Sequence, residues 1–264
     1  DRVTLKVEER LTAYSLLLQS GKGLFAASEE VNRQEWKKFV MASKADRTVP
    51  GYQGIGYSVR IAPEHIAAHT AAIRAEGFPD YEVTPPGERR VYSSIIFLEP
   101  FEDRNLRAFG YDMFSEPVRR EAMERAMDTG EATLSRKVIL VQEDGTDLQA
   151  GTLMYVPVYR NGAPVQNVAQ RRQSLVGWVY SPYRMRDLMQ GIVTDWDTDI
   201  GGILDLRVYD GDSHDPENLL FDSMPGALPR AGRSFFHDER MVDFNGRRWL
   251  LDFDGTVDSG DINY

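Results

Sequence analysis

The order of elements between residues 92 and 159 constrains this chain most. Residues 91–98 are β-branched and aromatic and read as a buried strand. A polar loop, residues 99–109, leads to Gly110-Tyr111-Asp112-Met113. Ser115 can cap a helix that carries Glu116 and Pro117 in its first turn. Val118, Ala122, Met123, Ala126 and Met127 give that helix an apolar face, and Gly130 ends it. Residues 133–141 and 151–159 read as two further strands, joined by an acidic turn over 143–147. Strands covered on one face by a helix can enclose a pocket. Asp112 falls where the loop hands over to the helix, so it is the candidate polar anchor of a ligand site.

Composition narrows the function classes. The 264 residues are 42% hydrophobic and 27% charged, which marks a globular chain long enough for one large core or two smaller ones. The net charge is −10, with no basic block of the kind that neutralises phosphates, so nucleic-acid binding is set aside. Cysteine is absent, which excludes disulfides and thiolate metal sites. No run of about 18 apolar residues is present to cross a bilayer. The opening Asp1-Arg2-Val3 reads as a cut from a longer protein, with flanking membrane segments expected outside it.

Ahead of this stretch, residues 1–19 read as an amphipathic helix. Val7, Leu11, Tyr14, Leu18 and Phe25 fall on one seam, which suits either a helical dimer or packing on the chain's own domain. Gly21 and Gly23 weaken the helix, and Ser28 can cap a fresh one with Val31, Trp36, Phe39 and Val40 inside. Residues 54–61 alternate as a strand with one buried face. Pro63 opens a helix that Gly77 stops. Residues 78–90 are proline-rich loop or edge strand. Residues 175–180 form another strand, and Pro182 starts a helix to about Met189. Beyond Gln190 the texture turns β-rich, with strands over 203–209, 219–222 and 247–253. The expected divisions are therefore 1–49, a helical stalk; 50–190, a first α/β unit; and 191–264, a smaller second one.

Several groups invite a metal reading. His65 and His69 lie one helical turn apart but lack a third ligand, so they read as solvated side chains. The clusters Asp195, Asp197, Asp199 and Asp210, Asp212, Asp215 miss the calcium-loop pattern and read as solvated turns. Gly51, Gly54 and Gly56 precede a strand rather than a helix, which removes a dinucleotide loop. No Gly-x-Ser-x-Gly elbow, thiol or phosphate loop appears, so an enzyme is not expected, and neither is a cofactor.

GYDMFSEPVRREAMERAMDTGEATLS, VQED and GTLMYVPVY together resemble the CHASE domain, a sensor module of histidine kinases and nucleotide cyclases that includes plant cytokinin receptors. LFAASEEVNRQEWKKFV, GIGYSVRI, LDLRVYD and LLFDSM resemble it in the same order, so the likeness spans nearly the whole chain. The resemblance implies an α+β fold: a long N-terminal helix and two tandem PAS-like units with antiparallel sheets. It implies the periplasmic, ligand-sensing part of an inner-membrane receptor with a kinase or diguanylate cyclase output, dimeric through its first helix. In the plant receptors an aspartate matching Asp112, and the main chain matching Leu134, bond an adenine ring. Tyr92, Ile95, Phe97, Met113, Leu153 and Tyr155 are the candidate apolar walls, and Thr129 matches a sensitive position. The bulky Tyr155 and the longer loop 98–109 depart from the plant pattern and argue for a different small nitrogenous ligand. Each assignment has a plainer counterpart. Asp112 can bond the backbone near the helix start, Leu134 can be core, and Thr129 can finish a helix. A ligand-free module that signals through a periplasmic partner protein is the alternative function.

Overall fold

In the computed structural model, residues 2–45, 52–143, 145, 147–193, 203–226 and 234–256 are described. The chain is an α+β protein built from an N-terminal helix and two antiparallel sheets. Helix α1 spans Arg2–Ala27 and α2 spans Arg33–Ser43. The first sheet has five strands: β1 (Ile55–Ile61), β2 (Tyr92–Glu99), β3 (Thr133–Leu134), β4 (Gly151–Tyr159) and β5 (Leu175–Arg184), in the order β2-β1-β5-β4-β3. Helix α3 (Ile66–Ala75) follows β1, α4 (Pro117–Thr129) precedes β3, and α5 (Val168–Ser174) precedes β5. After α6 (Met185–Val193), the second sheet orders β6 (Ile203–Asp210), β7 (Leu219–Asp222), β8 (Ser234–Phe244) and β9 (Arg247–Thr256) as β7-β6-β9-β8.

The seam foreseen in α1 is buried within the chain itself. Val3, Val7, Leu11, Tyr14 and Leu18 are all 4% exposed or less and join one core with residues of both sheets, among them Val156, Val179, Val208 and Leu251. Full burial of such a side chain contributes about 1.5–3 kcal/mol, so this row anchors α1 firmly. A dimer seam along these residues is thereby corrected, and the outward face of α1 carries Leu5 and Leu16 instead. The helix also continues through both glycines. A Cβ on Gly21 would stand 3.1 Å from Val179, so the glycine lets α1 approach β5 closely. The second helix starts later than expected: Asn32, not Ser28, caps it, accepting from the Gln34 and Glu35 amides while Glu35 reaches back to the Asn32 amide.

Other boundaries shift for local reasons. Glu116 rather than Ser115 caps α4, its two carboxylate oxygens each 2.9 Å from the Val118 or Arg119 amide. The strand expected over 133–141 is only two residues long, followed by an isolated bridge from Val138 to Gly151. Strand β1 is buried on both faces over most of its length, since α4 covers one side of the sheet and α1 and α2 the other. Pro182 does not start a helix but lies in β5 opposite Leu153. Leu153 turns its amide and carbonyl toward Ser135, so this cross-strand pair is a non-hydrogen-bonded one. A proline there costs no ladder bond.

Candidate functional site

Asp112 stands between the end of the 99–111 loop and α4, and its surroundings are polar but closed. The residue has no exposed surface. Its Oδ1 accepts from the Ser93 amide and hydroxyl, each at 2.9 Å, and from the Phe114 amide at 3.0 Å. Its own amide donates to Thr84 O at 2.6 Å, and its carbonyl accepts from the Ser115 hydroxyl at 2.6 Å. These bonds fasten the start of β2, the proline-rich loop and the short 3₁₀ turn Met113–Ser115 into one unit. The backbone-bonding role open to Asp112 in the sequence is thus present. The second oxygen differs. Oδ2 is buried and accepts no hydrogen bond, and the nearest cation, Arg89 Nε, is 3.5 Å away. Burial, the dominant cause, raises the Asp112 carboxyl above its ordinary value despite the Ser93 donors, Arg89 and the Phe114 amide.

The foreseen wall residues separate onto two faces of the five-stranded sheet. Ile95, Met113, Leu153 and Tyr155 share the α4 face with Trp178 and Tyr180. Phe97 and Leu134 belong to the opposite core, under α1 and α2. The cause in β2 is a bulge: Tyr57 pairs with Phe97 but Ser58 pairs with Ile95, so Ile96 is an extra residue that breaks the alternation. Phe97 then stacks on Trp36, with ring centroids 5.9 Å apart. Leu134 donates its amide to Asn245 O of the second sheet at 3.0 Å, so that amide is already engaged. Thr129 is exposed at the far end of α4, about 18 Å of helix from the Asp112 end. Its hydroxyl bonds Arg125 O and the Glu131 amide, a helix-ending role.

The α4 face is densely filled. Tyr155, Trp178 and Tyr180 have no exposed surface, and Met113 is 1% exposed. The Tyr155 hydroxyl meets Met113 Sδ at 3.5 Å, Trp178 Nε1 donates to Met123 O at 3.0 Å, and Trp178 stacks on Phe114. The Tyr180 hydroxyl is buried and has no hydrogen-bond partner. Gly56, on the neighbouring strand, lies under the Tyr180 ring, which a Cβ there would strike. Tyr92 stands beside the anchor: its hydroxyl donates to Gly87 O at 2.9 Å, and the Arg89 guanidinium lies 5.2 Å over its ring.

Two partners of Asp112 were not foreseen. Ser93 is an unremarkable strand serine in the sequence, and Arg89 is one cation in a proline-rich loop; only tertiary pairing singles them out. The histidine pair does not converge. His65 is exposed, while His69 Nε2 lies 2.7 Å from the Tyr81 hydroxyl, and burial lowers the His69 pKa below its ordinary value. Tyr81 in turn meets Ser94 Oγ at 2.5 Å. Of the aspartate clusters, Asp195, Asp197 and Asp199 lie outside the described residues. Asp210 is not a solvated turn residue as expected. It is 5% exposed, with Oδ2 on the Lys137 amide at 2.9 Å and Oδ1 on Arg247 Nε at 3.1 Å.

The chain thus combines a helix-backed pair of antiparallel sheets with a buried carboxylate where loop meets helix. Residues 29–221, most of the length, match the family model of the CHASE domain, and the chain belongs to that family. It is thereby an extracytoplasmic sensor domain of signalling receptors, not an enzyme in itself. A search of curated proteins returned no match. Among the described residues, no helix is long and apolar enough to cross a membrane.

Proposed function

We propose that the chain is the periplasmic sensor of a transmembrane histidine kinase or diguanylate cyclase, and that it takes a small nitrogenous ligand on the α4 side of the first sheet. One observation carries this reading: Asp112 Oδ2 is buried without a hydrogen-bond donor beside Arg89. A buried acceptor without a hydrogen bond costs about 1–3 kcal/mol, which the Arg89 guanidinium 3.5 Å away offsets in part and a ligand N–H would recover further. A cytokinin-like adenine derivative presents such a donor. The binding-competent state must then displace Tyr155 or Met113, and the ligand's affinity is lowered by the cost of that opening. In this reading the sensor unit is residues 50–190, residues 191–264 are the unit nearer the membrane, and residues 1–49 are the stalk. Dimerisation through α1 would use its Leu5 and Leu16 face.

A second reading has its own support. The complete burial of Tyr155, Trp178 and Tyr180 favours a site filled by the protein itself, which signals through a partner protein. Titration calorimetry with adenine, cytokinins, amino acids and short carboxylic acids separates the two. Saturable binding that Asp112→Asn weakens 10-fold or more supports the ligand site. Binding of none of these compounds, with the protein folded, favours the second reading.

A further inference from the structure

The second sheet presents an unassigned group of ligand-type side chains. His237 and Glu239 on β8 stand directly opposite Asp254 and Asp252 on β9, so four such residues occupy two successive cross-strand pairs on one face. His214, from the turn between β6 and β7, reaches over the same face. Its Nε2 lies 3.3 Å from Glu239 Oε1 and 3.5 Å from Asp252 Oδ2. His237 Nδ1 lies 3.5 Å from Asp252 Oδ1 and 3.3 Å from Asp254 Oδ1. Two triads result, each with one imidazole nitrogen and two carboxylate oxygens, and Asp252 gives one oxygen to each.

Three features distinguish this from an ordinary solvated acidic patch. Asp252 is only 6% exposed, and its Oδ1 is buried with no hydrogen-bond partner, aimed at the His237–Asp254 triad. Glu239 and Asp252 are like charges at directly opposed positions, a destabilising arrangement for a bare sheet. The neighbouring cation, Arg207, is opposite Asp252 on β6, but its guanidinium is 3.0 Å from Asp205 and 3.8 Å from Asp222. Finally, the separations are 3.3–3.5 Å, at the long end for N–H···O bonds, and only His237 Nδ1 with Asp254 Oδ1 at 3.3 Å makes a hydrogen bond among them. They match the edge of a tetrahedron of ligands about 2.1 Å from a central ion, which is about 3.4 Å.

We propose that Asp252, flanked by His214 and Glu239 on one side and by His237 and Asp254 on the other, forms a zinc-class divalent metal site on the second sheet. Imidazole nitrogen with carboxylate oxygen suits zinc and its first-row neighbours better than calcium or magnesium. Three ligands per triad leave a position for water. The scaffold is a two-stranded ribbon whose backbone pairing fixes four of the five side chains, so little reorganisation is needed to bind.

The test uses the full chain, stripped of metal by chelation and titrated with zinc chloride. Micromolar or tighter binding is expected, weakened at least 100-fold in the double variant His214→Ala/His237→Ala. Both imidazoles are about half exposed, so this variant should keep the metal-free melting temperature. Asp252→Asn should lose binding likewise, and cobalt(II) should give the intense visible bands of a tetrahedral site in the wild type alone. Absence of zinc binding by the wild type overturns the proposal. So does unchanged affinity in the double histidine variant, or displacement of zinc by equimolar calcium or magnesium.

Discussion

Replacing Asp112 separates its structural bonds from its second oxygen, which accepts no hydrogen bond. In Asp112→Ala the Ser93 amide and hydroxyl and the Phe114 amide all lose their shared acceptor, Oδ1. The Phe114 amide keeps an alternative acceptor, because it also lies 3.1 Å from Ser93 Oγ and can donate to it. The Ser93 amide has no such substitute at this site. One buried donor left unmet costs about 1–3 kcal/mol, and a second partly met adds less, so a loss of about 2–4 kcal/mol is expected. Asp112→Asn keeps an oxygen for the same donors and should lose less than half as much. Its sign with pH is also defined. Burial raises the Asp112 carboxyl above its ordinary value, so between the ordinary and the raised value the folded state binds more protons than the unfolded one. Wild-type stability therefore falls as pH rises through that window, and the Asn variant lacks this component of the fall. Urea unfolding of the three proteins across pH 3.5 to 7 measures both effects. Equal stability of the Ala variant and wild type would refute the bonding argument. A wild-type-minus-Asn difference that is flat or of opposite slope would refute the assigned pKa direction.

Four further substitutions probe the frame around this site. Gly56→Ala forces a Cβ onto the Tyr180 ring and to within 2.7 Å of Phe97 O, so thermal unfolding should show a loss of about 1–3 kcal/mol. Gly23→Ala meets open space within α1 and should stabilise by about 0.5–1 kcal/mol, whereas Gly21→Val, which presses on Val179, should destabilise; denaturant midpoints give both signs. Arg247→Ala leaves the buried Asp210 carboxylate with only the Lys137 amide, and a loss of about 3 kcal/mol is expected by urea unfolding.

Helices and strands with strong local signals were legible. The strand β4, Gly151–Tyr159, begins and ends where its residues suggested, and β7 does too. The buried faces of α2 and α4 were readable from spacing, since Trp36, Val40, Ala122, Met123 and Ala126 are inside. What failed depended on partners distant in the chain. Pro182 carried a helix-start signal, but the missing amide falls at a position where β4 asks for no bond. Phe97 seemed to share a face with Ile95 until the bulge at Ile96 turned it over. Strand β8 was missed because His237-Asp238-Glu239-Arg240 is too polar to look like a strand. The dipeptide Asn245-Gly246, with both φ angles positive, was the available hairpin signal. Asp112 itself was legible as a polar residue at the loop–helix junction. The bonds of Ser93 to its Oδ1, and the approach of Arg89, were not, because nothing local links residues 89, 93 and 112.

The position of Leu134 bears on how a signal could leave the first sheet. The resemblance gave its main chain to a ligand, yet its amide bonds Asn245 O in the β8–β9 turn. The neighbouring segment makes the same connection repeatedly: the Lys137 amide to Asp210, Lys137 Nζ to Glu217 O, and Arg125 of α4 to Gly246 O. Helix α4 therefore has Asp112 at its beginning and the second sheet's hairpin near its end. Thirteen residues of helix act as a stiff rod over this length, and the core on the opposite face of the first sheet, shared by α1 and both sheets, resists independent motion of the two sheets. On the proposed reading, a ligand that displaces Tyr155 or Met113 would move α4, and the bonds of Arg125 to Gly246 O and of Leu134 to Asn245 O would carry that movement to the turn 245–246. The coupling it produces is bounded by its difference in affinity for the two positions of α4. On this account the second sheet reads the first through α4 and β3, and α1, packed against both, is the element that both positions must accommodate.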